Sequence, residues 1–163
     1  KENVKNESKL DEQAKAQFYS NWIYSAIRLA TDIPEFQTPQ KISDRLNLPV
    51  EQVISVLEFL VSHGLCTKKN NTYQMGVQST HLESESPWIY SRQLQWRVKS
   101  QQSMLHKNKN NLFYTGPMVL SIKDIEIIRE KLVKSIKETT EVARDSKSEE
   151  LFCLNIDWFK VEA

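Results

Sequence analysis

The residue types with the most chemical reach are His63 and Cys66. Their three-residue spacing suits metal ligands and nucleophile–base pairs alike. No second pair stands at ligand spacing, and His81 and His106 are isolated. The sequence holds no phosphate-binding loop, nucleophile elbow or metalloprotease motif. His63 therefore reads as a helix-end histidine close to backbone carbonyls, and Cys66 as a buried thiol. Glu83 and Glu85 fall in a polar stretch and read as solvated. The expectation is a protein that is not an enzyme and holds no metal and no cofactor.

A second chemistry is the recognition of phosphates and bases. Lys41 and Arg45 precede a polar set, Gln52 and Ser55, and Lys68 and Lys69 follow it. Cations suit a phosphate backbone, and Gln and Ser can hydrogen-bond base edges. Glu51 and Glu58 share the Gln52–Ser55 face and oppose phosphate contact. Another basic region runs from Trp88 to Lys123, which contains no acidic residue. Its Arg92, Arg97 and Lys99, interleaved with Trp88 and Trp96, fit a nucleic-acid surface with stacking aromatics. They also fit an amphipathic helix with tryptophans inward and cations in water, and helical spacing favours that reading. A third reading pairs these cations with Glu149 and Glu150 or with a partner protein.

The elements that must position these residues lie between Thr38 and Met75. Two short helices are predicted, broken at Asn47 to Pro49, with Pro39 and Pro49 in first-turn positions. Val53, Leu57, Leu60 and Val61, with Val56 beside them, form one apolar helical face. Gly64 supplies the C-cap, and Leu65–Thr67 and Tyr73–Met75 read as two strands around a basic, Asn-rich tip. Helix, turn, helix and hairpin in this order predict a winged helix-turn-helix, with the second helix in the major groove and the hairpin tip on the backbone or in the minor groove.

Composition sets the outer bounds. The chain has 163 residues, 39% hydrophobic and 26% charged, and a net charge of +1. That supports one domain or two small ones, and the total charge does not mark a nucleic-acid partner. Two isolated cysteines, Cys66 and Cys153, predict a reducing, cytoplasmic setting rather than a disulfide framework. No apolar run has membrane-spanning length, and no signal peptide is recognised. Because the first residue is Lys1, the chain reads as a fragment or processed product, with a segment expected before it.

Residues 1–10 read as a flexible N-terminus and 11–77 as the winged-helix region. One long helix is predicted from Asp11 to Ala30, its face formed by Ala14, Phe18, Trp22, Ala26 and Leu29. Residues 78–87 read as a polar linker, and 88–163 as a regulatory or dimerising subdomain of helix, strand, helix and strand. In that part a helix opens after Ser86 and Pro87 and presents Leu94, Val98 and Leu105. Leu112–Leu120 and Leu151–Val161 are the strands. Ser121 caps the intervening helix, whose face is Ile125, Ile128, Leu132, Ile136 and Ala143. Strands joined by this helix would be parallel. A two-stranded sheet with apolar residues on both faces needs cover, from the winged helix or from a second chain, and a homodimer is expected. The fold class is thus α+β, mainly helical, a winged helix-turn-helix followed by an α-β-α-β subdomain. Trp22, Tyr24, Trp96 and Tyr114 are candidate linings for a small-molecule effector, although nothing identifies one and their spacing suits core positions.

Three segments carry a resemblance: Phe18–Arg28, His63-Gly64-Leu65, and Leu154–Phe159. Together they resemble the C-terminal half of an uncharacterised bacterial family of candidate helix-turn-helix transcriptional regulators, classed as a domain of unknown function. The resemblance covers Asp11 to Val161. In that family the longer proteins carry a repressor-type helix-turn-helix ahead of this region. It offers no catalytic or ligand residues to transfer. It implies a bacterial transcriptional regulator; with the homodimer expected from the second half, the reading is DNA recognition by a dimer whose second subdomain sets the spacing of the two reading heads. The alternative is a protein-interaction module whose winged helix does not bind DNA.

Overall fold

A computed structural model describes residues 10–78, 80–82 and 84–162. The fold is α+β and mainly helical, with one two-stranded antiparallel sheet among the described residues. The chain divides into two compact units: residues 10–103 with Ser148–Cys153, and Met104–Lys147 with residues 154–162.

The first unit opens with two helices where the sequence predicts one. Helix α1 spans Glu12–Tyr19 and α2 spans Trp22–Ala30. Asp11 caps α1, its carboxylate accepting from Ala14 N at 2.7 Å. Asn21 interrupts the pattern. Its backbone is extended, at φ −151° and ψ 135°, and its side chain accepts from Ile23 N at 3.0 Å. A capping side chain thus starts a new helix inside a continuous apolar period. Ala14, Phe18, Trp22, Ile23, Ala26 and Ile27 are buried as that period requires, whereas Leu29 is exposed.

After a 3₁₀ turn at Pro34–Phe36, helix α3 covers Pro39–Leu46 and α4 covers Val50–Ser62. Thr38 caps α3 and Pro39 occupies its first turn. The break between the helices is made by Asn47, in the left-handed region at φ 52°. Leu48 N donates to Ser43 O at 3.1 Å, and the Ser43 hydroxyl donates to Leu48 O at 2.6 Å. Pro49 stands at the N-cap of α4, one residue before the first-turn position the sequence suggests. Val53, Leu57 and Leu60 are fully buried.

The end of α4 shows why a glycine is needed there. Gly64 N donates to Val61 O at 3.1 Å and Leu65 N to Leu60 O at 2.8 Å, with Gly64 at φ +71°. This pair of bonds is the Schellman closure, which requires a left-handed residue at Gly64. Leu65 then enters the core and the chain turns into β1 (Cys66–Lys69) and β2 (Thr72–Met75). Cys66 pairs with Met75 and Lys69 with Thr72, leaving Asn70 and Asn71 as the tip. Tyr73 N donates to Gln37 O at 2.8 Å, which ties the hairpin to the chain ahead of α3.

Burying Ile27, Ile42, Val53, Leu57, Leu60 and Leu65 stabilises this unit by about 1.5–3 kcal/mol per side chain. Leu10 also packs against the core, although residues 1–10 read as flexible; residues 1–9 lie outside those described. In the stretch read as a linker, Leu82 is buried and Thr80 O accepts from the Tyr19 hydroxyl at 2.8 Å. Glu83 lies outside the described residues.

Helix α5 spans Trp88–Met104, and Ser86 Oγ accepts from Trp88 N at 3.3 Å, as the capping reading requires. The packed face differs from expectation. Trp88, Ile89 and Trp96 lie against the core, while Leu94 and Val98 are exposed. Both sets are helically spaced, and the one with two indoles removes more apolar surface from water. Ser148–Cys153 returns to this unit. The Ser148 hydroxyl bonds the Asp32 carboxylate, Glu150 pairs with Arg45, and Leu151 packs on the core.

The second unit is built on α6, Ile122–Arg144. Ser121 caps it, accepting from Asp124 N at 3.2 Å and donating to the Asp124 carboxylate at 2.7 Å. The segments read as strands, Leu112–Leu120 and Leu151–Val161, form no strand: both run without a turn or bend and join no ladder among the described residues. Gly116-Pro117 breaks the donor series of the first. No described residue of this unit is buried.

Candidate nucleic-acid interface

The first set of residues singled out for phosphate and base contact lies in the first unit, on α3, α4 and the hairpin. On α4 the buried positions fix the rotation, so Glu51, Gln52, Ser55 and Glu58 face solvent with Ile54 at the edge. Lys41 is exposed on α3, and Lys68 and Lys69 are exposed on β1. Lys68 Nζ sits 5.3 Å from the centre of the Tyr73 ring, which steadies the stem and leaves the ammonium at the surface.

Arg45 differs from these lysines. Its guanidinium pairs with Glu150 and lies 5.3 Å from the centre of the Phe36 ring. It is half-exposed, yet its charge already has an acidic neighbour. A shallow depression beside it, lined by Glu35, Phe36, Lys41, Asp44 and Arg45, carries both signs of charge.

The second basic set is dispersed on α5. Arg92 is exposed, Arg97 donates to Gln93 O of its own helix at 3.0 Å, and Lys99 Nζ stands 4.5 Å over the Trp22 ring. Trp88 and Trp96 are half-buried, and the Trp88 indole donates to the Glu12 carboxylate at 3.0 Å. That indole, and then Lys15, hold the Glu12 carboxyl below its ordinary range.

Sequence reading passes over Arg28, the residue that fixes the base of the hairpin. From α2 it donates to Leu65 O at 3.1 Å, Gly76 O at 3.3 Å, Gln78 O at 2.7 Å and Thr80 Oγ1 at 3.3 Å. Burial pushes its pKa down from the usual arginine value. A last-turn arginine on a helix otherwise signals only the dipole. An open depression beside it is lined by Arg28, Met75, Gln78, Thr80, His81 and Arg92.

His63 and Cys66 face different neighbours. His63 Nδ1 donates to Phe59 O at 2.8 Å, and its ring lies 4.3 Å from the Phe59 ring. Cys66 Sγ is buried 3.5 Å from Thr31 Oγ1, and burial pushes its thiol pKa up. Among the described residues no group of three His, Cys, Asp or Glu side chains is arranged to hold a metal ion. Nor is any described helix long and apolar enough to cross a membrane. Of the aromatic linings considered for an effector, Trp22 is buried, Tyr24 packs edge-on to Phe59 at 5.1 Å, Trp96 is half-buried and Tyr114 is exposed.

No curated protein matched the sequence, and no solved structure matched the fold. A family model described as Domain of unknown function (DUF4423) matches residues 1–161, and the chain belongs to that family.

Proposed function

We propose that the first unit is a winged helix-turn-helix that contacts DNA, in the regulatory and dimerising region of a bacterial, cytoplasmic transcriptional regulator. The observation that carries this reading is the order and closure of α3, the Asn47 turn, α4, the Gly64 cap and the hairpin around one core. That core leaves Gln52 and Ser55 outward on α4, and Lys41 on α3 and Lys68 and Lys69 on β1 are exposed. Gln52 and Ser55 would read base edges while Lys41, Lys68 and Lys69 meet phosphates. Arg45 would join them only after leaving Glu150. The role is binding rather than catalysis.

A second reading, a winged helix used for protein contact, is favoured by two features. Glu51 and Glu58 are exposed on the would-be reading helix, and Arg45 is already paired. Lys68→Glu with Lys69→Glu separates the readings, and filter retention of duplex DNA measures the outcome. DNA contact predicts loss of retention with the thermal transition unchanged. Retention unaffected by both reversals rules the hairpin out as a phosphate contact.

A further inference from the structure

We infer that the returning segment Ser148–Cys153 is an autoinhibitory strap, in which the Glu150 carboxylate holds Arg45 in place of a DNA phosphate. The inference rests on the DNA-contact reading and concerns the regulation of that surface.

The segment reads Ser-Glu-Glu-Leu-Phe-Cys, with two carboxylates and no cation. It belongs to the first unit, whereas α6 and residues 145–147 before it belong to the second. Three contacts seat it. The Ser148 hydroxyl donates to the Asp32 carboxylate just after α2, Glu150 pairs with Arg45 in the last turn of α3, and Leu151 packs on the core. The two polar partners lie 116 and 105 residues away in sequence. An ion pair at the surface contributes little by itself. Here the next residue, Leu151, is anchored by apolar contact and keeps the Glu150 carboxylate close to its partner.

Arg45 and Lys41 stand one turn apart on α3 and border the same depression. The Phe36 ring backs the guanidinium at 5.3 Å. Glu35 and Asp44 line that depression too, and Asp44 accepts from Gln40 Nε2 at 2.8 Å, but the carboxylate paired with Arg45 is that of Glu150. A guanidinium offers the same fork of N–H donors to a carboxylate and to a phosphate, so the two acceptors compete for it. With the strap seated, Lys41, Lys68 and Lys69 are exposed while Arg45 is engaged. Release of Glu150 adds a fourth cation to the surface.

Binding of the intact chain to a random-sequence duplex, read by fluorescence anisotropy at about 50 and about 200 mM salt, tests the strap. Glu150→Gln should tighten binding at the lower salt about three-fold or more, as expected when one exposed ion pair no longer competes. It should also steepen the log–log salt slope by about 0.9, the effect of one further phosphate contact. Glu149→Gln removes the same charge one residue from the partner of Arg45 and should leave the slope unchanged. Arg45→Gln should cancel the gain, so that Arg45→Gln with Glu150→Gln binds no tighter than Arg45→Gln alone. Three results would each overturn the strap and leave DNA contact standing: Glu150→Gln binding no tighter than wild type, an equal gain from Glu149→Gln, or a gain that persists without Arg45. Absence of binding by the wild type and every variant would overturn the DNA-contact reading and the strap with it.

Discussion

Two glycines near the hairpin look alike in sequence and do different work. A Cβ at Gly64 would meet nothing closer than Gln78 Cβ at 4.0 Å, so only its φ of +71° resists a side chain. A Cβ at Gly76 would lie 2.4 Å from Gly64 O and 2.9 Å from Leu65 C, which are backbone atoms that cannot step aside. Gly64→Ala should therefore cost about 1 kcal/mol. Gly76→Ala should cost about 3 kcal/mol, because the strands must part. Urea unfolding of both variants checks the order, and equal losses would refute the contrast. Gly64 is legible in sequence because it follows an apolar helical face. Gly76 is not, since its constraint comes from a carbonyl twelve positions earlier. Arg28 escapes notice for the same reason: the carbonyls it joins come from Leu65, Gly76 and Gln78.

At the scale of elements, the sequence signals carry α3, α4 and the hairpin closely, because proline, glycine and asparagine punctuate each boundary. They fail where periodicity runs through a boundary or offers two faces. Asn21 is a good helix-starting residue set inside an apolar period, and the period masks it. Asn21→Ala should cost about 1 kcal/mol by removing the cap on Ile23 N. Thermal unfolding would show this, and an unchanged midpoint would mean that α1 and α2 can run on as one helix. On α5 the stripes Leu94–Val98 and Trp88–Ile89–Trp96 are both helical, and only tertiary packing selects the second. The β-type apolar runs of Leu112–Leu120 and Leu151–Val161 read as strands, but an apolar run alone supplies no ladder partner.

At the scale of the molecule, the two units carry different parts of the account. The first owns a core and the candidate reading surface; the second owns a long amphipathic helix and no core. Total charge does not register the exposed Lys41, Lys68 and Lys69, because +1 overall is 22 Lys and Arg against 21 Asp and Glu.

The most direct test of the central claim is binding of the purified chain to duplex DNA at about 50 and about 200 mM salt, read by fluorescence anisotropy. Phosphate contact by Lys41, Lys68 and Lys69, as proposed, implies a log–log salt slope of about −2.7 for each reading head, or about a 40-fold loss over that range. Lys68→Glu with Lys69→Glu should leave a slope near −1 or abolish binding. The account predicts a steep loss with salt for the wild-type chain. Absence of binding at the lower salt would contradict it and point to a protein as the ligand of this surface.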